Sequence, residues 1–384
     1  MRNDGGATKS GRHVKRLLQN AALLIISCAV ALIGIEAGLR LFGPDVLALG
    51  NPYVFYKFDP VLGWANLPGS HGFYNRGEFN TEVAINADGM RDEPATAKRS
   101  DEFRVAVLGD SFTWGLGAAY GERFTEVLEA QNPALNALNF GVSGYGPIQY
   151  LLEIDTVLAM EPDFVLVVFC LSNDVRDNVQ SNPYGYAKPY AKLSADGASY
   201  EIAGYPLAES RGIGPALMGA GSGLKIVSLA KMWIGDLRQR RDEVFPIEWQ
   251  DFYRGEASLD RQLKAKVDEG FRVNALLLEA LAKRVTAALG PGRFAVLLAP
   301  TKTEVGLQPS VAPEDRQNVG DRVLADLNRL HIAAIDGRRV VGPEDFWRSD
   351  GHWRASGHRR IGVLLADFFA KRLSAPGGAA SGAL

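Results

Sequence analysis

The sequence predicts an α/β protein built on a doubly wound parallel sheet and preceded by an apolar N-terminal anchor. Five short apolar runs are the first reason: FRVAVLG (103–109), ALNF (137–140), FVLVVFC (164–170), FAVLLAP (294–300) and IAAID (332–336). Such continuous runs are expected of strands covered on both faces. Helical patterns alternate with them, from Glu122 to Gln131, Pro147 to Met160, Leu259 to Leu289, Pro313 to Leu330 and Ser356 to Leu373. Ser258 can cap the third of these, and Gly290 comes after its last turn as a stop. Strand–helix alternation with right-handed crossovers places helices on both faces of a parallel sheet and any ligand site at the carboxyl ends of its strands.

Composition narrows the class. With 22% charged and 47% hydrophobic residues the chain can build a core, and 42 basic against 44 acidic residues give no global attraction to nucleic acid. Two cysteines, Cys28 and Cys170, supply neither a disulfide framework nor a Cys-rich zinc site.

The anchor is read from Leu17–Ile35, an uncharged stretch preceded by Arg2, Lys9, Arg12, Lys15 and Arg16. Nineteen helical residues reach close to the roughly 30 Å of a hydrocarbon core. The expected organisation is a basic cytoplasmic tail over 1–16 and a transmembrane helix over 17–42, with Glu36 and Arg40 able to pair at its end. By the positive-inside rule, the rest of the chain is extracytoplasmic, a periplasmic domain on a single-pass protein of the cytoplasmic membrane. A cleaved signal peptide is the plainer reading, but no small-x-small site comes after a short apolar core. Ile25, Ile26, Ser27 and Cys28 resemble a lipobox, yet the residues beyond Cys28 stay apolar where a lipoprotein turns polar.

Residues 51–95 read as a β-hairpin prelude, from the alternation through Val83 and Ile85 and the turn pair Asp88-Gly89. The main domain is expected over 100–373, with a large insertion at about 180–255 and a flexible tail at 374–384. The insertion carries Tyr184, Tyr186, Tyr190, Tyr200, Tyr205, Trp233, Trp249, Phe252 and Tyr253. These could stack on sugar rings or form a satellite core. Within it, Ile226, Leu229, Ala230, Trp233 and Leu237 keep helical spacing, amid basic residues that fit either packing on the domain or an anionic lipid surface.

The chemistry-bearing residues lie just past the carboxyl ends of these strands. Strand 103–109 runs into GDSFTWG, which puts Ser111 in a turn where its hydroxyl can face the crevice and its N–H can hold an oxyanion. Taken alone, a GDS triplet also fits a turn serine bonded to its own backbone. After 137–140 comes GVSGYGP, and after 164–170 comes LSNDVRDN with Asn173, which fits an Asx turn equally well. Near the C-terminus FWRSDGHWRASGH sets Asp350 two residues before His352, so in extended backbone the carboxylate can orient the imidazole. Among five histidines, His13 lies in the tail, His71 in the prelude, His331 at a helix end and His358 inside the last helix as a structural residue. That leaves His352 as general base for Ser111, with Asp350 as orienter. No metal site and no cofactor are expected, since no histidines share a helix face and no carboxylates cluster with them.

In these four blocks the chain resembles the SGNH, or GDSL-type, hydrolase superfamily, which supplies Ser, Gly, Asn and His in that order over most of residues 100–373. The resemblance implies a flavodoxin-like sheet, Ser111 as nucleophile, and Ser111, Gly144 and Asn173 as oxyanion-hole donors. Ser349 stands where most of the superfamily has its Asp. The Asp350-x-His352-Trp353 spacing is similar to the membrane-associated branch related to alginate O-acetylation proteins, and the PGS and NADGMRD segments resemble modules preceding SGNH domains in anchored proteins. The expected activity is hydrolysis of acyl esters, acetyl above all, with envelope carbohydrate as one candidate carrier. The alternatives are an O-acyltransferase working with a multispan partner on an extracytoplasmic polysaccharide, and a non-catalytic glycan-binding module.

Overall fold

The computed structural model describes residues 7–42, 55–75, 78–184, 186–208, 226, 261–302, 304–305, 319–348 and 350–374. Helix α1 (Ala7–Phe42) starts inside the stretch read as a tail, and its segment His13–Leu41 is by length and composition able to cross a membrane. At its end Arg40 Nε lies 2.6 Å from Glu36 Oε1.

The prelude is two antiparallel hairpins: β1 (Tyr56–Asp59) with β2 (Gly63–Asn66), and β3 (His71–Asn75) with β4 (Asn80–Ala84). Asp88-Gly89 does not form the hairpin turn expected of it. The second hairpin pairs through to Asn75 opposite Asn80, and the chain after β4 winds around Asn86, whose Oδ1 accepts from the N–H groups of Asp88 (3.0 Å) and Met90 (2.9 Å). An asparagine side chain that satisfies the backbone locally removes the reason for a second strand there.

The main sheet begins with β5 (Phe103–Gly109), β6 (Leu135–Gly141) and β7 (Phe164–Cys170). After a separate hairpin, β8 (Tyr190–Leu193) with β9 (Tyr200–Ala203), it is completed by β10 (Phe294–Ala299) and β11 (Ala333–Asp336). Its order is β11-β10-β7-β5-β6, every pair parallel. The direction of winding reverses between β5 and β7, and crevices open at such a point outside the carboxyl ends.

The remaining helices are α2 (Ser111–Trp114), α3 (Phe124–Gln131), α4 (Pro147–Leu158), α5 (Asp174–Asp177), α6 (Arg261–Leu289), α7 (Val319–Arg329) and α8 (Ala355–Ser374). Ser258 and the helix expected around Trp233 lie outside the described residues. Gly290, at φ 89°, does end α6. Alternate strand residues feed two cores. Ala106, Leu108, Val165, Val167, Val296 and Leu298 pack under α4, α6 and α7, while Val105, Val107, Leu166, Val168 and Leu297 pack under α3 and α8. A period of two along each strand therefore produces the two covered faces. A third cluster joins the prelude to α2, with Phe55, Tyr74, Phe79, Val83 and Ile85 against the fully buried Trp114.

Candidate active site

Gly109 ends β5, and a Cβ there would lie 2.0 Å from Thr113 Oγ1, so only glycine lets α2 sit directly on the strand end. Asp110 caps that one-turn helix, its Oδ1 accepting from Phe112 N–H at 2.9 Å. Ser111 is thereby presented at the helix's first position. Its Oγ lies 2.7 Å from His352 Nε2, and His352 Nδ1 lies 2.5 Å from Asp350 Oδ1. Ser111 and His352 are 241 residues apart in the chain, yet with Asp350 they form one continuous hydrogen-bonded line.

The backbone around Asp350 is not extended, as the i, i+2 argument required. It bends, and Asp350 Oδ1 accepts the His352 backbone N–H (2.9 Å) as well as the ring, an Asx turn in which one carboxylate oxygen fixes both. Ser349, the competing acidic-site position, lies outside the described residues. The loop is held from several sides. Trp347 N–H donates to His352 O (3.1 Å), Phe346 bridges Trp353, and Trp353 is buried with its Nε1 on Pro300 O at 3.2 Å. Phe112 packs against both the His352 ring (5.0 Å) and the Trp353 ring (4.7 Å).

Asn173 stands at the N-cap position of α5, its side chain turned away from the helix, and is buried. Its Nδ2 donates to Asp110 Oδ2 and to the Tyr184 hydroxyl, each at 3.1 Å. Asp110, silent in the sequence beyond its place in the GDS triplet, therefore connects the turns after β5 and β7. Burial pushes its carboxyl up, against the pull of the Phe112 N–H, His352 and Asn173. Gly144 sits at φ 79°, in the left-handed region that favours glycine, and a Cβ there would be 3.0 Å from both Trp64 Cζ2 and Tyr184 Cε2. The buried Lys188 reaches its carbonyl (3.3 Å), its ammonium pushed down to about 8 by burial against the charges of Asp177 and Asp174.

The prelude contributes directly. Glu78 Oε2 accepts the Asp350 N–H (3.1 Å), and Lys302, bonded to Arg348 O (2.9 Å), brings positive charge near Glu78 and Asp350. Arg91 is buried and donates to the carbonyls of Trp114 (2.9 Å), Gly115 (2.6 Å) and Ala118 (2.8 Å), where α2 ends. Glu78 carried no sequence signal, and Arg91 lay in the NADGMRD segment with nothing to show its role, because their partners are backbone groups far along the chain. His358 is buried, stacked on Phe124 (6.0 Å, 11°), and held neutral with its ionisation pushed down to about 3 by burial and by Arg123, Arg91 and His352. Among the described residues no group of three His, Cys, Asp or Glu side chains is placed to hold a metal ion.

No family model and no curated protein matches the chain. Solved structures do. An aryl esterase from M. smegmatis is 15% identical, with a TM-score of 0.36, 70% of this chain and 98% of that one covered. A GDSL-like lipase from Bacteroides thetaiotaomicron is 13% identical, with a TM-score of 0.35 and coverage of 72% and 92%. A carbohydrate acetylesterase from Sinorhizobium meliloti is 12% identical, with a TM-score of 0.35 and coverage of 70% and 99%.

Proposed function

We propose that this chain is a membrane-anchored serine esterase of SGNH type that cleaves short acyl esters. The observation that carries the reading is the Ser111 Oγ–His352 Nε2–His352 Nδ1–Asp350 Oδ1 line, at 2.7 and 2.5 Å. In this reading His352 Nε2 takes the Ser111 proton as Oγ attacks the ester carbonyl, while Asp350 holds the opposite ring nitrogen in its protonated tautomer. The oxyanion is met by the N–H groups of Ser111 and Gly144 and the Asn173 amide. His352 then gives its proton to the departing alcohol, and water, deprotonated by the same nitrogen, releases the acid from the acyl-enzyme.

The test is hydrolysis of p-nitrophenyl acetate by the full chain in detergent. Ser111→Ala and His352→Ala should each lower kcat by several powers of ten, up to about a millionfold. Asp350→Asn should cost less, and Ser349→Ala should be nearly silent. A Ser111→Ala protein as active as wild type would remove the nucleophile.

A transferase uses the same three residues but must seat a second alcohol beside the acyl-enzyme. The aromatic pair Trp64 and Tyr184, edge-on at 6.4 Å beside Gly144, favours keeping that reading, with an extracytoplasmic polysaccharide as acceptor and a multispan partner as acyl source. An acylated sugar product when oligosaccharides are added would establish it, whereas free acid alone supports the esterase.

A further inference from the structure

An asparagine amide has two hydrogens to give. In Asn173 one goes to Asp110 Oδ2 and the other to the Tyr184 hydroxyl, both at 3.1 Å. The Tyr184 proton is itself committed, because the hydroxyl donates to Asp177 Oδ2 in a short contact. Burial and the Asp177 carboxylate push the phenol well above its ordinary range, so that proton stays in place. Toward Asn173, then, Tyr184 offers only a lone pair. A substrate's carbonyl oxygen also offers lone pairs, and the oxyanion derived from it needs donors. The tyrosine oxygen and the carbonyl oxygen are competitors for one hydrogen.

Resting on the esterase reading, we propose that Tyr184 is a gate on the oxyanion site, its hydroxyl occupying the acceptor position at Asn173 that an ester's carbonyl oxygen must take. The surroundings permit its departure. Tyr184 is 37% exposed, with one ring edge over Gly144, so the side chain has a path to solvent. When the hydroxyl leaves, Asp177 is not stranded, because Arg176 Nε (2.8 Å) and Nη2 (2.7 Å) remain on its other oxygen. The Arg176 guanidinium, 5.8 Å from the Tyr184 ring centre, holds the carboxylate through the exchange. The Asn173 amide stays aimed by Asp110, which the gate does not touch. The device has a selective consequence: an alkyl chain without a carbonyl cannot displace the hydroxyl, so occupancy of the site by apolar molecules leaves the donor covered.

The test uses two probes on the full chain in detergent. Diethyl p-nitrophenyl phosphate phosphorylates a reactive serine, its Oγ attacking phosphorus, p-nitrophenolate leaving and the phosphoryl oxygen taking the oxyanion position; the adduct is counted by intact mass. p-Nitrophenyl acetate gives kcat and KM. Tyr184→Phe should label at Ser111 about ten- to a hundredfold faster than wild type and lower KM for the acetate, because the carbonyl oxygen then displaces neither the bond from Asn173 nor the charge-assisted bond to Asp177. Tyr184→Leu serves if the Phe variant folds poorly by thermal melting. In an Asn173→Ala background the same substitution should give no gain. A purely structural role for Tyr184 lowers the melting temperature but does not accelerate labelling. If wild type labels and both Tyr184 variants label equally or more slowly, the gate is wrong and the esterase reading stands. Labelling of Tyr184→Phe with an inert wild type would support gate and nucleophile together. No labelling of any variant would overturn both.

Discussion

Asp110 shows how much one side chain next to Ser111 can settle. Its two oxygens do separate tasks, Oδ1 capping α2 at Phe112 N–H and Oδ2 aiming the Asn173 amide. Asp110→Asn keeps one acceptor for the cap but sets an amide donor opposite the Asn173 donor. The Asn173 amide should then rotate and exchange Nδ2 for its otherwise unpartnered Oδ1. An acceptor would face the oxyanion, and kcat should fall about ten- to a hundredfold with little change in thermal stability. Steady-state kinetics beside a thermal melt checks this, and a loss confined to stability would show that Asp110 acts only as a cap. The sequence pointed to Ser111 because it sits just past an apolar run, and to Asp350 and His352 because they stand two apart and the other four histidines fall elsewhere. It could not reveal Tyr184 as a neighbour of Asn173, since nothing in a row of scattered tyrosines says which one turns inward.

Among the elements, α8 and α3 pack closely on the second face of the sheet, and their contact depends on Gly362. A Cβ there would lie 2.5 Å from Val127 Cγ1 and 3.0 Å from Phe124 O. Gly362→Val should push the helices apart and cost about 1–3 kcal/mol, read as a lower denaturation midpoint with an unchanged slope. The same interface makes the fold acid-sensitive through His358. Its ionisation is held near 3 in the folded protein against 6.5 in the unfolded chain, so below 6.5 the unfolded chain binds a proton that the folded chain refuses. That contribution to stability is complete above about pH 6.5 and is lost as pH falls toward 3. His358→Phe should flatten the fall in unfolding free energy between about pH 7 and 4, measured by denaturant titration at each pH. These strands and helices were legible because β5, β7 and β10 are dominated by apolar runs set between stretches of helical spacing, whereas β6 is broken by Asn136 and Asn139. The prelude was less legible. Period-two alternation through Val83 and Ile85 was present, but the Asn86 side chain, rather than Asp88-Gly89, decides how the chain leaves β4.

For the whole molecule, the reading of α1 as an uncleaved anchor makes a prediction about where the sheet domain resides. The full-length chain should sediment with membranes, and a reporter fused after Leu384 should be active outside the cytoplasm. Cys28→Ala should leave this unchanged, whereas release of the protein by that substitution would replace the anchor with a lipid. The prelude, in turn, governs how a soluble enzyme can be prepared. Phe55, Tyr74, Phe79 and Val83 cover Trp114, Arg91 satisfies the carbonyls where α2 ends, and Glu78 holds the Asp350 turn. A truncation made at residue 100, just ahead of the first strand of the main sheet, would expose the back of α2 and strip the Arg91 guanidinium from its carbonyls. Cutting ahead of Phe55 spares them. Expression of the two truncations side by side should therefore give soluble, ester-cleaving protein from the longer piece and aggregated or inert material from the shorter.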